Sequence, residues 1–293
     1  MQQLGVESMN HIRLRDDKRL FLTKGGGWKD AHFDIILPLL EGRIPPAAER
    51  ISSSNNSRVW KVRMDGASFF IKFFAPRGIR DKLLFRKTRA RRASEGSLIL
   101  LQNGFLSPAI LVQGDVVKGW EVGESFLVTE EVEKGYNIYS FVETFFNQSE
   151  FEAKRICIKT FGTVIGRLHK KGIFHGDLRP GNILIKNTGS APDVYFLDNE
   201  RNKYFESGIP DRLREKNLVQ LNMIVTPKIT FTDRLRFFHA YLAENPELKP
   251  SARVWIRGVF LKTRKRLQRK ILGIWKKTVN GIIPLDIDRI FIL

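Results

Sequence analysis

Ile173-Phe174-His175-Gly176-Asp177-Leu178-Arg179-Pro180-Gly181-Asn182-Ile183-Leu184-Ile185 places a carboxylate and, five residues on, a carboxamide on one tight loop that opens into a short apolar strand. Phosphoryl transfer from ATP needs such a pair: an acid to orient a hydroxyl and accept its proton, and an oxygen ligand for Mg²⁺. In the pattern H-x-D-x-x-x-x-N, Asp177 is the candidate base and Asn182 the candidate metal ligand. His175 reads as a residue that holds the loop by hydrogen bonds and carries no proton. Three positions alone decide nothing, so the flanking sequence must supply the remaining parts in order.

Downstream, Val194-Tyr-Phe-Leu-Asp198-Asn199-Glu200-Arg201 is a second apolar strand that ends in an acid. The turn formers between Lys186 and Asp193 predict a hairpin. Antiparallel pairing would bring Asn182, which opens the first strand, and Asp198, which closes the second, to the same end. Two hard oxygen donors suit Mg²⁺, which fills the rest of its shell with water and phosphate oxygens. Taken by itself, Asp198 is equally a strand-ending turn residue; the upstream pair favours the metal.

Upstream, Val59 to Phe74 reads as two strands around Asp65-Gly66, a strong hairpin signal. Alternation places Lys72 on one face with Phe70 and Phe74. Its expected partner is Glu95, in a helix from Ala90 to Gln102 that stops at Asn103-Gly104. Glu95 lies three and four residues before Leu98 and Ile99 and is expected on their apolar face, where a carboxylate needs a cation. A Lys72–Glu95 pair would hold the lysine against the α- and β-phosphates of ATP. Two surface charges that never meet are the alternative.

The order Lys72, Glu95, His175-x-Asp177-x-x-x-x-Asn182, Asp198 resembles the protein-kinase-like fold. His-Gly-Asp resembles its small-molecule branch, and the closest resemblance is to the bacterial lipopolysaccharide kinases that act on Kdo and heptose of the core oligosaccharide. Phe196-Leu-Asp198-Asn199-Glu200-Arg201, the stretch Arg214-Glu-Lys-Asn217-Leu-Val-Gln220-Leu-Asn222 and Thr232-Asp233-Arg234 carry that resemblance, over roughly residues 50 to 245. It implies an α+β, two-lobed fold with a small β-rich N-lobe and a larger helical C-lobe. Residues 1–49 are expected as an extension, 50–134 as the nucleotide lobe and 135–293 as the lobe with the catalytic loop, acceptor site and basic tail. It also implies ATP and Mg²⁺ as cofactors. The nucleotide-covering loop departs from the pattern: Ile51 to Val59 is rich in serine and asparagine where glycine is expected. Ser54, Asn55 and Arg58 are the candidate phosphate contacts there. Glu130 and Val132, in the expected hinge, offer backbone groups to adenine. Asn199-Glu200 stands where protein kinases carry Phe-Gly, which argues against their activation switch. Glu200 is either a second metal or acceptor ligand or a solvated charge.

At 293 residues the chain is long for one core, and 42% apolar content with 22 phenylalanines argues for a folded enzyme. The single cysteine, Cys157, excludes an intramolecular disulfide and fits a reducing compartment. It reads as filler in a helix from Phe151 to Lys171 whose buried stripe is Ile158, Phe161, Ile165 and Leu168. His169 reads as a helix-end residue. No signal peptide and no membrane-spanning run are visible. The net charge of +19 asks for an anionic partner. The stretch from Arg253 to Lys277 holds no acid and interleaves Trp255 and Trp275 with cations, as an interfacial helix on anionic lipid does. Packing of Trp255, Phe260, Leu272 and Trp275 onto the second lobe is the bland alternative. Nucleic acid would reward the same charge, but no nucleic-acid motif is present.

The expected function is therefore phosphorylation of a lipid-linked saccharide by a peripheral enzyme at the cytoplasmic face of the inner membrane. A soluble kinase of the aminoglycoside or choline type and a membrane-associated pseudokinase are the alternatives.

Overall fold

The computed structural model describes residues 11–14, 17–54, 56–83, 86–146, 151–187 and 191–278, with 11, 53, 54, 80 and 272–278 as backbone alone. The chain forms two compact units. One runs to Glu133 and includes Asp198–Arg201; the other comprises Lys134–Leu197 and the chain from Asn202 onward.

The first unit is built on strands β1 (His11–Arg13), β2 (Lys18–Lys24), β3 (Ala48–Ser54), β4 (Ser57–Met64), β5 (Ala67–Phe74), β6 (Ile110–Lys118) and β7 (Glu121–Glu130), with helices α1 (Phe33–Leu40) and α2 (Arg89–Gln102). The strands form one antiparallel sheet in the order β1-β2-β6-β7-β5-β4-β3. In β5 the alternation is real. Phe69, Ile71 and Phe73 point into a core shared with Ile36 and Leu39 of α1, while Phe74 packs with Ala90 and Ala93 of α2. Lys72 falls on the α2 side. Asp65 and Gly66 both take positive φ, 52° and 76°, the backbone of a type I′ turn whose twist matches the strands it joins.

The leading segment is not a separate extension. Lys18–Lys24 pairs with Val112–Lys118 along its whole length, and Leu20 is fully buried in the sheet core. The motif Lys-Arg-Leu-Phe-Leu-Thr-Lys hides that strand under charged flanks, with only Leu20 and Leu22 turned inward.

The second unit holds β8 (Gly135–Asn137), α3 (Ile138–Phe145), α4 (Phe151–Lys170), β9 (Ile173–Phe174), β10 (Ile183–Lys186), β11 (Asp193–Phe196), β12 (Lys203–Tyr204), α5 (Asp211–Leu221), α6 (Phe231–Glu244) and α7 (Ala252–Thr278). The β10–β11 hairpin forms in the register Ile183↔Phe196, with β8 on the other edge of β10. A short β9–β12 ribbon enters the catalytic loop. Cys157, Ile158, Ile165 and Leu168 are the buried stripe of α4, and α4 packs on α6.

In α7, Thr263 and Leu267 are buried while Arg253, Arg257, Lys265, Arg269 and Lys270 are exposed. Trp255 is half-buried and Phe260 exposed; the side chains of Leu272 and Trp275 lie outside the described residues. Among the described residues no helix is long and apolar enough to cross a membrane.

Candidate functional site

In the second unit the loop from β9 to β10 turns through a single 3₁₀ turn at Pro180–Asn182. The Asn182 amide donates from Nδ2 to the Asp177 carbonyl at 2.9 Å and to Asp177 Oδ2 at 3.2 Å. A carbonyl can only accept, so this bond fixes the amide's orientation and leaves Asn182 Oδ1 as the oxygen available to a metal. His175 uses both ring nitrogens structurally. Nε2 donates to the Leu197 carbonyl at 3.1 Å, and Nδ1 accepts the Asp177 N–H at 3.2 Å.

Beneath the loop lies a buried polar network. Asn217 Oδ1 accepts the His175 N–H, and its Nδ2 donates to the His175 carbonyl and to Gln220 Oε1. Because Asn217 Oδ1 only accepts, His169 must donate from Nε2 at 3.2 Å; its Nδ1 then accepts from the Tyr241 hydroxyl at 2.9 Å. Full burial drives the His169 pKa down to about 3, so the ring is neutral. Arg214 closes the network on Tyr241 and Asn245. His169 does lie in the last turn of α4, and it is also a fully buried strut, a role invisible without its partners.

In the first unit Lys72 Nζ is 2.8 Å from Asp198 Oδ1 and 5.1 Å from the Phe74 ring centroid. Asp198 is one of four non-glycine residues with positive φ among the described residues, at 58°. Aspartate tolerates this region better than most residues, and such backbone settings cluster at functional positions. The next residues dock on α2. Asn199 Nδ2 donates to Ser97 and Ser107, and the Asn199 carbonyl would lie 2.1 Å from a Cβ at position 96, so only glycine admits it.

The expected Lys72–Glu95 pair does not form. The buried face of α2 is Ala90, Ala93, Ser94, Gly96, Ser97 and Leu100, not the stripe of Leu98 and Ile99. Glu95 lies off that face and binds Lys87 at 2.8 Å and Arg91 at 3.4 Å. The buried ion pair on this helix is instead Arg89 with Glu200. The carboxylate meets guanidinium nitrogens at 2.9 and 3.0 Å with both side chains under a tenth exposed. Arg89 also donates to the Asn56 carbonyl at 2.6 Å and stacks on Phe74. Glu200 is thus neither solvated nor poised as a ligand; its charge is spent on Arg89. One signal for Arg89 was present: it follows the Thr88 N-cap and starts the buried period of the helix.

The serine-rich stretch forms most of a tight hairpin, since Ser54 pairs with Ser57. Asn55 lies outside the described residues, and so does the side chain of Ser54. Arg58 is committed to Glu124 at 2.6 Å and lies over Phe73, which takes it out of the expected phosphate grip. Glu130 ends β7 with its N–H on the Ala109 carbonyl, and Val132 follows, half-buried, just before the first unit ends at Glu133.

The second unit also holds a largely apolar, partly open cleft of about 750 Å³, lined by Phe141, Phe146, Phe161, Phe238, Val259 and Leu267 among others. Cys157 lines it too, and burial pushes its thiol up to about 12, which keeps it protonated and inert.

Among the described residues no group of three His, Cys, Asp or Glu side chains could hold a metal by itself. Magnesium in phosphoryl transfer needs fewer protein ligands. The free carboxamide oxygen of Asn182 and the Asp198 carboxylate are hard donors of the right kind.

A family model described as "Lipopolysaccharide kinase (Kdo/WaaP) family" matches residues 46–241, about two thirds of the chain. Among solved structures, one described as "WaaP in complex with acyl carrier protein" is similar at a TM-score of 0.57 and 20% identity. The likeness covers 81% of this chain and 97% of that one, and it shows the protein-kinase-like fold. No protein of curated function matches the sequence.

Proposed function

Because the chain belongs to the lipopolysaccharide kinase (Kdo/WaaP) family, we propose that it moves the γ-phosphoryl group of Mg·ATP to a sugar hydroxyl of the lipopolysaccharide inner core, on Kdo or heptose. The observation that carries this reading is the Asp177 loop, where a carboxylate and an oriented carboxamide share one turn. Asp177 orients the acceptor hydroxyl and takes its proton. Asn182 through Oδ1, and Asp198, hold the metal, which when bound neutralises charge on the transferring phosphoryl group. Lys72 contributes the cation for the phosphates, with Asp198 rather than Glu95 as its partner. Backbone groups near Glu130 and Val132 take the adenine. The test is ATP turnover by the purified chain with deacylated core saccharide, aminoglycoside, choline or protein as acceptor. Turnover with the saccharide alone supports the reading; turnover with aminoglycoside or choline in its place overturns it.

The acceptor is lipid-linked, and the reading places the enzyme peripherally at the cytoplasmic face, with α7 facing anionic headgroups and no role for nucleic acid. Each cation near such a surface contributes roughly 1 kcal/mol. Replacing Arg253, Arg257, Lys265, Arg269 and Lys270 with glutamine should therefore weaken binding to phosphatidylserine- or cardiolipin-containing vesicles by orders of magnitude. The native attraction should fade as salt shortens the Debye length from about 10 Å at 0.1 M to about 3 Å at 1 M. Equal vesicle binding by the variant would remove α7 from the membrane role.

A second partner reading is favoured by the cleft. Its volume lies in the range of small-molecule sites and its walls are mostly aliphatic and aromatic, with Asn222, Asp233 and Arg234 among the polar exceptions, so it suits an acyl chain. WaaP has been solved with an acyl carrier protein, which makes an acylated carrier the partner to try. Co-elution with the acylated but not the unacylated carrier supports this reading, and indifference to the acyl chain rejects it.

A further inference from the structure

Gln220 sits on α5 one turn after Asn217 and is 1% exposed, at the floor of the catalytic loop. Its side-chain orientation is not free. The Leu178 N–H, which can only donate, meets Gln220 Oε1 at 3.3 Å, and Asn217 Nδ2 meets the same oxygen at 3.0 Å. Gln220 Nε2 is thereby turned to Asp177 Oδ1, 3.0 Å away. Arg179 Nε reaches the same Oδ1 at 2.7 Å. Among the described residues, the other carboxylate oxygen, Oδ2, receives only the longer bond from Asn182 Nδ2 at 3.2 Å. The two oxygens of Asp177 are therefore unequal: one carries an amide bond and faces the guanidinium cation, the other holds a single stretched amide bond.

We propose that Gln220 is a positioning residue for phosphoryl transfer, which saturates Oδ1 of Asp177 and leaves Oδ2 as the oxygen that receives the acceptor proton. The inference rests on the assignment of Asp177 as the base. As the hydroxyl oxygen bonds to the γ-phosphorus and the bond to the β-phosphate oxygen breaks, releasing ADP, the hydroxyl proton passes to Oδ2. A carboxylate free to rotate would offer either oxygen in several orientations; Gln220 removes that freedom. The chain of orientation is fixed at both ends by backbone. The His175 N–H sets the Asn217 amide, the Leu178 N–H sets the Gln220 amide, and Gln220 sets the carboxylate.

Gln220→Glu isolates the bond. It keeps Oε1 for Leu178 and Asn217 and replaces only the Nε2 donor with an oxygen, so two carboxylates would stand about where one donor and one acceptor stood. Like charges at that distance disfavour joint ionisation. Among the described residues of this unit, Arg179 is the charged group bonded to Asp177; Asn182, Asn217 and the His175 ring are neutral neighbours. The melting temperature of Q220E should therefore fall relative to the native chain between pH 5 and pH 8. D177N/Q220E should restore it, because the carboxamide introduced at 177 donates to the new carboxylate. In turnover, Q220E should lose on the order of 10- to 100-fold in kcat at pH 8 with the KM for ATP unchanged, since a misplaced reacting group costs about that much. If Q220E alone fails to fold, recovery of a folded D177N/Q220E chain is the same result.

A penalty in Q220E that ignores residue 177, or a kcat within twofold of native at pH 8, overturns the proposal. The stability cycle needs no turnover, so it separates this inference from the function. An uncoupled cycle with an inactive D177N removes Gln220 and leaves the function standing. A fully active D177N removes both.

Discussion

Asp177→Asn should lower kcat for transfer to the core saccharide by about 10²- to 10⁴-fold, the usual contribution of a positioned base. It should leave nucleotide affinity near native. The substitution is close to isosteric, and the bonds around it say why the fold should survive. Gln220 Nε2 donates to Oδ1 and Arg179 Nε lies 2.7 Å from it, so an amide oxygen can take that place. The new NH₂ would then stand at the Oδ2 position, facing Asn182 Nδ2 where a donor meets a donor, and that bond, already 3.2 Å long, is the one lost. What disappears is the acceptor for the hydroxyl proton. The check is a full kcat and KM determination with ATP and saccharide, alongside ATP binding by calorimetry. A kcat within twofold of native would mean that the base lies elsewhere and that the loop's resemblance is structural only. A loss of nucleotide affinity equal to the loss in kcat would mean that the carboxylate serves binding instead.

The local placements that could be read in advance share one property: their geometry is set by nearby sequence. Asp177 and Asn182 lie on one turn, and Lys72 takes its face from the two-residue period of β5. Asp198 follows the end of a hairpin strand whose partner begins six residues past the loop's acid. The partner of Lys72 was a tertiary question, and there the sequence misled. Between Arg89 and Leu100 the buried face of α2 is made of alanine, serine and glycine, and at Gly96 the Asn199 carbonyl approaches too closely for any side chain. A search for large apolar residues therefore settles on Leu98 and Ile99 and draws Glu95 inward with them. The same blindness hid β2, where two leucines among lysine and arginine are enough to join the sheet. It also hid Asn217 and Gln220. Two carboxamides one turn apart, set among Leu218, Val219 and Leu221, are a weak signal of a buried polar face, but nothing local says which loop they serve.

Removing either half of the Arg89–Glu200 pair should cost the first unit about 3–5 kcal/mol, the range for breaking a buried ion pair from one side. Both side chains are under a tenth exposed. In Glu200→Ala the Arg89 guanidinium keeps the Asn56 carbonyl and the Phe74 ring but loses its counter-charge. Burial already lowers the pKa of Arg89, yet the group stays charged at any working pH, so the protein cannot escape by neutralising it. In Arg89→Met the carboxylate retains Arg77 and Arg201 at 3.5 Å, both more exposed. The loss there should be the smaller of the two. Against a total stability of about 5–15 kcal/mol for a typical domain, a loss of this size moves a denaturation midpoint far. The double variant Arg89→Met/Glu200→Leu is the decisive arm. If the penalty is an uncompensated buried charge, removing both charges should recover most of it, as apolar replacement of buried pairs often does. Urea denaturation of the four chains gives the coupling directly. The same cycle reaches the chemistry through Asp198, which lies two residues before Glu200 and is held by Lys72. The double variant should regain stability while the Asp198 turn loses its anchor to α2, so turnover should stay depressed. Equal recovery of stability and turnover would show that Glu200 serves only the fold, and single-variant losses below about 1 kcal/mol would show that the pair is not buried in solution.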